Sequence, residues 1–268
     1  MDKIYLSVAG FKIRINFQKS RYKTVAHGFA RDRLMGELLV YLKDFVVNRR
    51  LTQVDFTIGF QERHYPDRYR HKRQEYTLFY EWKQKREITT FYQISLSQFQ
   101  IILLDVINSL ILKNDGLFLH ASASNIQGYA NVFMGSAGSG KSTAITLLNK
   151  RFTGLTDEGA LIRKVKKDYF LYQTPIVEKG WWIKRSSKPY RLGKIFFLKK
   201  APFFKMEKIE DKELIFKKIA KQLLIADNKT IKKLLSFVSE FNHFFFLFFA
   251  KDEKRMIEFF LKENFNKE

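Results

Sequence analysis

Gly135-Ser-Ala-Gly-Ser-Gly-Lys-Ser142 is a complete G-x-x-x-x-G-K-[ST] pattern. An apolar stretch, Ala130-Asn-Val-Phe-Met134, reads as a strand entering it, and Ser142-Thr-Ala-Ile-Thr-Leu-Leu-Asn-Lys150 reads as a helix leaving it. That context separates a phosphate-binding loop from a glycine-rich turn that matches by chance. Successive backbone N–H groups must converge on one anion, which Gly135, Ser136, Ala137, Gly138, Ser139 and Gly140 can arrange. A helix N-terminus must stand behind that anion, because its unpaired donors and its dipole favour negative charge. Lys141 then reaches the β- and γ-phosphates, and Ser142, followed by Thr143, offers its hydroxyl to Mg²⁺. ATP binding with Mg²⁺ is the expectation on which the other readings build.

A chain of 268 residues accommodates one large domain, or a catalytic domain with a smaller appendage. Hydrophobic residues make up 46%, with 28 Phe and 12 Tyr, enough for a substantial core. Without cysteine there is no disulfide framework and no thiolate metal site. The start, Met1 to Gly10, alternates like a strand and lacks the apolar run of a signal peptide. Phe244–Ala250, the most apolar segment on this reading, falls short of the roughly 20 residues that cross a bilayer. A cytoplasmic protein with no membrane span is expected. The net charge of +22 raises a nucleic-acid partner, but the lysines are spread along the chain and mixed with acids. In the densest cluster, Arg63–Arg73, a solvated basic loop is the favoured reading over a polyanion surface.

Strands are expected at Ile4–Ala9 and Phe11–Phe17 around a turn at Gly10, and at Gln53–Phe60, Glu75–Trp82 and Ile88–Ile94. This first third reads as a mostly antiparallel β-layer with no catalytic constellation. Apolar residues at helical spacing predict a helix over Ser97–Lys113, stopping before Gly116. Leu117–Ser124 alternates cleanly as one strand, with His120, Ser122 and Ser124 on one face. The turn Asn125–Gly128 then makes a hairpin with Ala130–Met134. A short strand and turn is expected over Gly154–Gly159, and further strands at Ala160–Val165, Tyr169–Thr174, Lys194–Leu198 and Phe244–Phe249. Helices are expected at Asp211–Leu224, Lys229–Phe241 and Asp252–Asn264. The fold class is α/β with an α+β tendency, with a soft boundary near residue 95 between a β-rich region and a core spanning residues 96–268.

Phosphoryl transfer needs a carboxylate near the metal or the attacking hydroxyl. Asp157 and Glu158 lie one helix and one return strand beyond Lys141, enough chain to come back beside the phosphates. Adjacent acids point differently and can divide metal binding from proton acceptance. An ordinary exposed turn is the alternative. The strand histidine His120 is either packed in the core or part of the site, since its face leads to the loop.

Leu119-His-Ala-Ser-Ala, the P-loop, and Leu155-Thr-Asp-Glu158 together resemble the core of the HPr kinase/phosphorylase family, whose nucleotide-binding architecture is shared by ATP-dependent phosphoenolpyruvate carboxykinases. The resemblance covers residues 117–160 and is weak elsewhere. It implies a mixed-sheet P-loop kinase core in which Lys141 and Ser142 hold MgATP. Asp157 or Glu158 then supplies the base for a hydroxyl acceptor, Asp157 joins Ser142 at the metal, and His120 lines the site. It also implies assembly into homo-oligomers. The family's glycine-rich signature with a glutamate is not found; Glu178-Lys-Gly180 is the nearest fragment and matches poorly. The acceptor expected is therefore a serine of a peptide or protein, or a small molecule, rather than HPr itself.

Lys184–Arg191 reads as a solvated basic loop, and Trp181 and Trp182 as packing residues. The competing function is a non-catalytic ATP-binding module that recruits a partner or RNA through a basic surface. A motor-type hydrolase is disfavoured because Lys194–Leu198 ends in Lys199-Lys200 where such proteins place an acid.

Overall fold

The structure is a computed structural model that describes residues 2–18, 25–62, 79–176, 178, 180–224 and 226–262, with the backbone alone for residues 25–29. The basic cluster Arg63–Arg73 lies outside the described residues. The chain divides into two compact units, Met1–Leu110 and Ile111–Glu268, and each is an α/β unit built on a mixed sheet.

The first unit holds β1 (Lys3–Val8), β2 (Phe11–Phe17), α1 (Val25–Leu42), β3 (Phe56–Gln61), β4 (Tyr80–Gln84), β5 (Glu87–Phe91) and α2 (Leu96–Lys113). Its sheet runs β1-β2-β3-β5-β4. Ala9 and Gly10 both take positive φ, 52° and 78°, so β1 and β2 are joined by a tight hairpin turn. The expected antiparallel layer is corrected here: β2, β3 and β5 are mutually parallel, and only the two edge pairs are antiparallel. Parallel neighbours need a crossover, and α1 spans the connection from β2 to β3.

Ser95 and Gln98 cap α2 reciprocally, side chain to backbone N–H at 3.2 and 2.9 Å. Phe99 on α2 lies 6.1 Å, ring to ring, from Phe60 on β3, and Asp105 accepts a hydrogen bond from the Tyr80 hydroxyl. These contacts carry almost all of α2 into the first unit, so the division falls at its end and not near residue 95. By length and composition α2 is also apolar enough to cross a membrane, an 18-residue helix that the focus on Phe244–Ala250 overlooked. Its Phe99, Ile102, Leu103, Val106 and Ile107 are fully buried in the protein.

The second unit begins with β6 (Gly116–His120), β7 (Ser122–Ile126), β8 (Tyr129–Met134), α3 (Lys141–Leu148), β9 (Thr153–Thr156), β10 (Gly159–Val165) and β11 (Asp168–Tyr172). It continues through β12 (Pro189–Lys200), β13 (Lys205–Lys208), α4 (Lys212–Ala220), α5 (Asn228–Glu240), β14 (Phe244–Phe249) and α6 (Glu253–Lys262). The strand order is β6-β10-β11-β12-β8-β7-β9, with β14 added on β12 and β13 on β14. β12 is the pivot. Its first residues pair antiparallel with β11, its middle runs parallel to β8, and its end runs parallel to β14.

Alternate residues of these strands feed two cores. Val132, Met134, Ile195 and Phe197 face Leu234 and Phe237 of α5. Phe133, Phe196 and Leu198 face Ala144 and Leu148 of α3 and Phe260 of α6. Asp211 and Asp227 cap α4 and α5 by accepting the N–H groups of Leu214 and Thr230 at 3.0 and 2.7 Å, which fixes where those helices start. The β7–β8 hairpin is antiparallel as expected.

Candidate active site

β8 ends at Met134, and the chain loops through Gly135–Gly140 into α3. Gly138 and Gly140 take φ of 75° and 100°, backbone that side-chain-bearing residues avoid. At Gly140 a Cβ would also stand 2.7 Å from the Phe249 ring, so this position has no room for one. The Ser139 N–H donates to Ser136 O at 3.1 Å, and the Ala144 N–H to Gly140 O at 2.8 Å, closing the loop onto the helix. Lys141 is only 8% exposed, and its ammonium donates to Gly135 O at 2.8 Å and Ser136 O at 3.3 Å. Ser142 is exposed on the first turn of α3, among the N–H groups a helix leaves unpaired.

The acidic pair is not an exposed turn. His120 on β6 pairs with Gly159 on β10, and Ala123 on β7 pairs with Thr156 on β9, so two residues on each side separate the two pairings. One register therefore runs through both strand pairs. Asp157 and Glu158 sit at a break within that ladder, opposite Ser122 and Ala121. The strand read as continuous over Leu117–Ser124 likewise breaks at Ala121 into β6 and β7. Asp157 is 5% exposed, and the Ser122 hydroxyl donates to its carbonyl at 3.3 Å.

Ser122 in turn pairs with Phe133 on β8, two residues before Gly135. Asp157 and the entry to the P-loop thus lie in one row across three adjacent strands, two spacings or about 10 Å apart. His120 closes the same sheet end: its Nδ1 lies 3.8 Å from Glu158 Oε2, and its side chain is 40% exposed. The sheet register brings Gly135–Ser142, Asp157, Glu158 and His120 to one end.

A third carboxyl group holds the pair in place. Glu178 Oε2 accepts the N–H groups of Asp157 at 2.9 Å and Glu158 at 3.2 Å, while Oε1 accepts the Thr156 hydroxyl at 2.7 Å. Asp157 Oδ2 reciprocates by accepting the Gly180 N–H at 2.7 Å. Burial, and next the hydrogen bond shared with the Asp157 carboxyl group, push Glu178 up to about 8 from its ordinary 4.5; the Asp157 N–H and the Thr156 hydroxyl pull the other way. A raised acid pKa means that the folded chain keeps a proton the unfolded chain releases above 4.5. Stability from this group is therefore complete below about pH 4.5 and lost as pH rises through about 8. Melting midpoints between pH 5 and 9 are expected to fall more steeply for wild type than for Glu178→Gln, which carries no titrating group there. Equal slopes would show that the clamp does not hold a proton.

The strand beside the P-loop strand also speaks to chemistry. Phe197 of β12 pairs with Met134, so the next residues, Leu198-Lys199-Lys200, end β12 at the level of the loop. Lysines occupy the place where motor-type hydrolases put a metal-binding acid. The carboxylates lie on the other flank, at β9–β10.

No protein-family model matches the chain. No curated protein matches it either. Among solved structures, the HPr(Ser) kinase/phosphatase from Coxiella burnetii is similar at a TM-score of 0.26 and 15% identity, over 34% of this chain and 77% of that one. At that TM-score the similarity carries no argument; the α/β fold rests on the strand ladders above.

Glu178 is the residue that the sequence under-read. Its fragment matches the family signature poorly by residue type, whereas its partners are the Thr156 hydroxyl and two backbone N–H groups, which no pattern of residue types displays. Trp182 packs as expected, its ring 2.4 Å from where a Cβ on Gly154 would stand. Trp181 does not pack, being 92% exposed. Of the basic stretch, Arg191 belongs to β12 and pairs with Asp168 at 2.8 Å, and the Arg185 guanidinium donates to Pro175 O at 3.5 Å.

Proposed function

We propose that the protein is an ATP- and Mg²⁺-dependent kinase of the HPr-kinase-like type that transfers the γ-phosphoryl group to a hydroxyl acceptor. The observation that carries this reading is the row Phe133–Ser122–Asp157, which sets the acidic pair about 10 Å from the phosphate cradle on the same sheet end. Lys141, released from the Gly135 and Ser136 carbonyls, holds the β- and γ-phosphates, and the N-terminus of α3 receives their negative charge.

The Ser142 hydroxyl and the Asp157 carboxylate are hard oxygen donors suited to Mg²⁺. Among the described residues no three His, Cys, Asp or Glu side chains cluster to hold a metal by themselves. A cation there would be held by one carboxylate, waters and the nucleotide's own phosphates rather than by a protein cage. When bound, Mg²⁺ neutralises charge on the phosphates.

Glu158, less buried than Asp157 and beside His120, accepts the acceptor's proton. The hydroxyl oxygen bonds to the γ-phosphorus, the bond from that phosphorus to ADP breaks, and the proton passes to Glu158. His120 positions the Glu158 carboxylate.

Transfer of radiolabel from γ-labelled ATP to peptide, protein and small-molecule acceptors tests the reading. Label should move with wild type and Mg²⁺, and be lost with Lys141→Met and Asp157→Asn. ATP binding without transfer to any acceptor, in extracts as well as in peptide mixtures, would leave the non-catalytic binding module instead.

A further inference from the structure

The same sheet end carries a group of lysines that phosphoryl transfer, as described, does not use. Lys199 follows Leu198, whose Cβ stands 3.9 Å from where a Cβ on Gly135 would be. Its ammonium sits 3.7 Å from the Phe246 ring centre and 4.8 Å from that of Phe248. Lys218 of α4 reaches the same Phe246 ring at 5.2 Å and Phe197 at 5.6 Å.

Neighbouring lysines have acids: Lys205 pairs with Glu207, and Lys217 with Glu213. Among the described residues, no ion pair involves Lys199, Lys218 or Lys221. Burial, and then the charges of Lys199 and Lys221, lower the Lys218 pKa. Two ammoniums gathered over one phenyl ring repel each other, and the ring face offsets only part of that cost. An anion between them would offset the rest.

The position is as telling as the charge. Lys199 follows Leu198 at the P-loop end of β12 and faces α4 with Phe197, while the residue after Lys221, Gln222, accepts the His120 N–H at 2.7 Å. The lysines therefore lie on the α4 face of the sheet, at the end that also carries the phosphate cradle and the histidine. Three ammoniums, each with several N–H donors, suit a dianion with three or more free oxygens better than a carboxylate.

We propose that Lys199, Lys218 and Lys221 form a subsite for a phosphate group carried by the hydroxyl compound that accepts the γ-phosphoryl group, so that the acceptor is itself a phosphomonoester. This rests on the kinase reading of Gly135–Ser142 with Asp157 and Glu158.

The test uses the full chain saturated with Mg²⁺ and a non-hydrolysable ATP analogue, titrated with glycerol 3-phosphate and separately with inorganic phosphate. Calorimetry and lysine ε-methylene NMR signals provide the readout. Glycerol 3-phosphate is expected to bind, more tightly than inorganic phosphate, and to shift lysine signals. The double substitution Lys199→Gln, Lys218→Gln should weaken it about tenfold or more, the loss of at least one charge-assisted hydrogen bond, with analogue affinity unchanged. No binding, binding indifferent to the double substitution, or binding of inorganic phosphate alone would overturn the subsite. Weaker analogue binding in the double variant would also overturn it, by assigning the lysines to the triphosphate, as would binding of a short RNA but of neither small phosphate. Failure of the wild type to bind the analogue at all would instead defeat the kinase reading.

Discussion

Glu158→Gln is expected to slow phosphoryl transfer about 10²- to 10⁴-fold, the range for losing a general base, while ATP affinity stays unchanged. The amide has the shape of the carboxylate and keeps the backbone N–H that donates to Glu178 at 3.2 Å, so the break in the ladder is preserved. What it loses is the ability to take a proton. The side chain is 28% exposed, open to an approaching hydroxyl in a way that buried Asp157 is not. Single-turnover rates with saturating ATP isolate the chemical step from binding. His120→Gln should cost less, because the imidazole lies 3.8 Å from the carboxylate and acts through it. An unchanged single-turnover rate in Glu158→Gln would transfer the proton-accepting role to Asp157 or remove it from this turn altogether.

The P-loop was legible because its demands are local: two glycines at positive φ, a strand before and a helix after. α2 was legible too, since its buried residues recur at helical spacing. α1 was not. Leu34, Leu38 and Leu42 are fully buried at helical spacing, but Gly28 and Gly36 interrupt the run and lower its helix propensity. Without that helix there is no crossover, and β2 and β3 could only be read as antiparallel neighbours.

At the site, the spacing of Asp157 from Lys141 pointed to a return to the sheet but not to its surroundings. A break inside a ladder looks like a turn when only one of its strands is in view. The reach of β12 was hidden in a similar way, because Gly193 and Lys194 split its apolar run. Pairings that join residues far apart in sequence decided all three cases, and residue types alone encode them weakly.

Phe196→Ala is expected to cost about 3–5 kcal/mol of stability, the range for removing a fully buried aromatic ring. Phe196 lies on β12 between the P-loop strand and β14. Its ring centre is 5.5 Å from that of Phe133 in a stacked pair, 5.7 Å from Phe260 edge to face, and 6.0 Å from Phe245. Those rings are held by three different elements, β8, α6 and β14, so the hole cannot collapse without moving all three. Leu235 on α5 is 54% exposed, and Leu235→Ala should change stability by no more than about 0.5 kcal/mol. Urea unfolding followed by tryptophan fluorescence can measure both, because Trp182 packs against the cluster that contains Phe196. Ala144, Ile145 and Leu148 of α3 rest on that same cluster, so the loss should extend to function, with ATP affinity falling as the helix behind the phosphates loosens. Equal costs for the two substitutions would mean that the aromatic layer is not what holds the P-loop helix to the sheet.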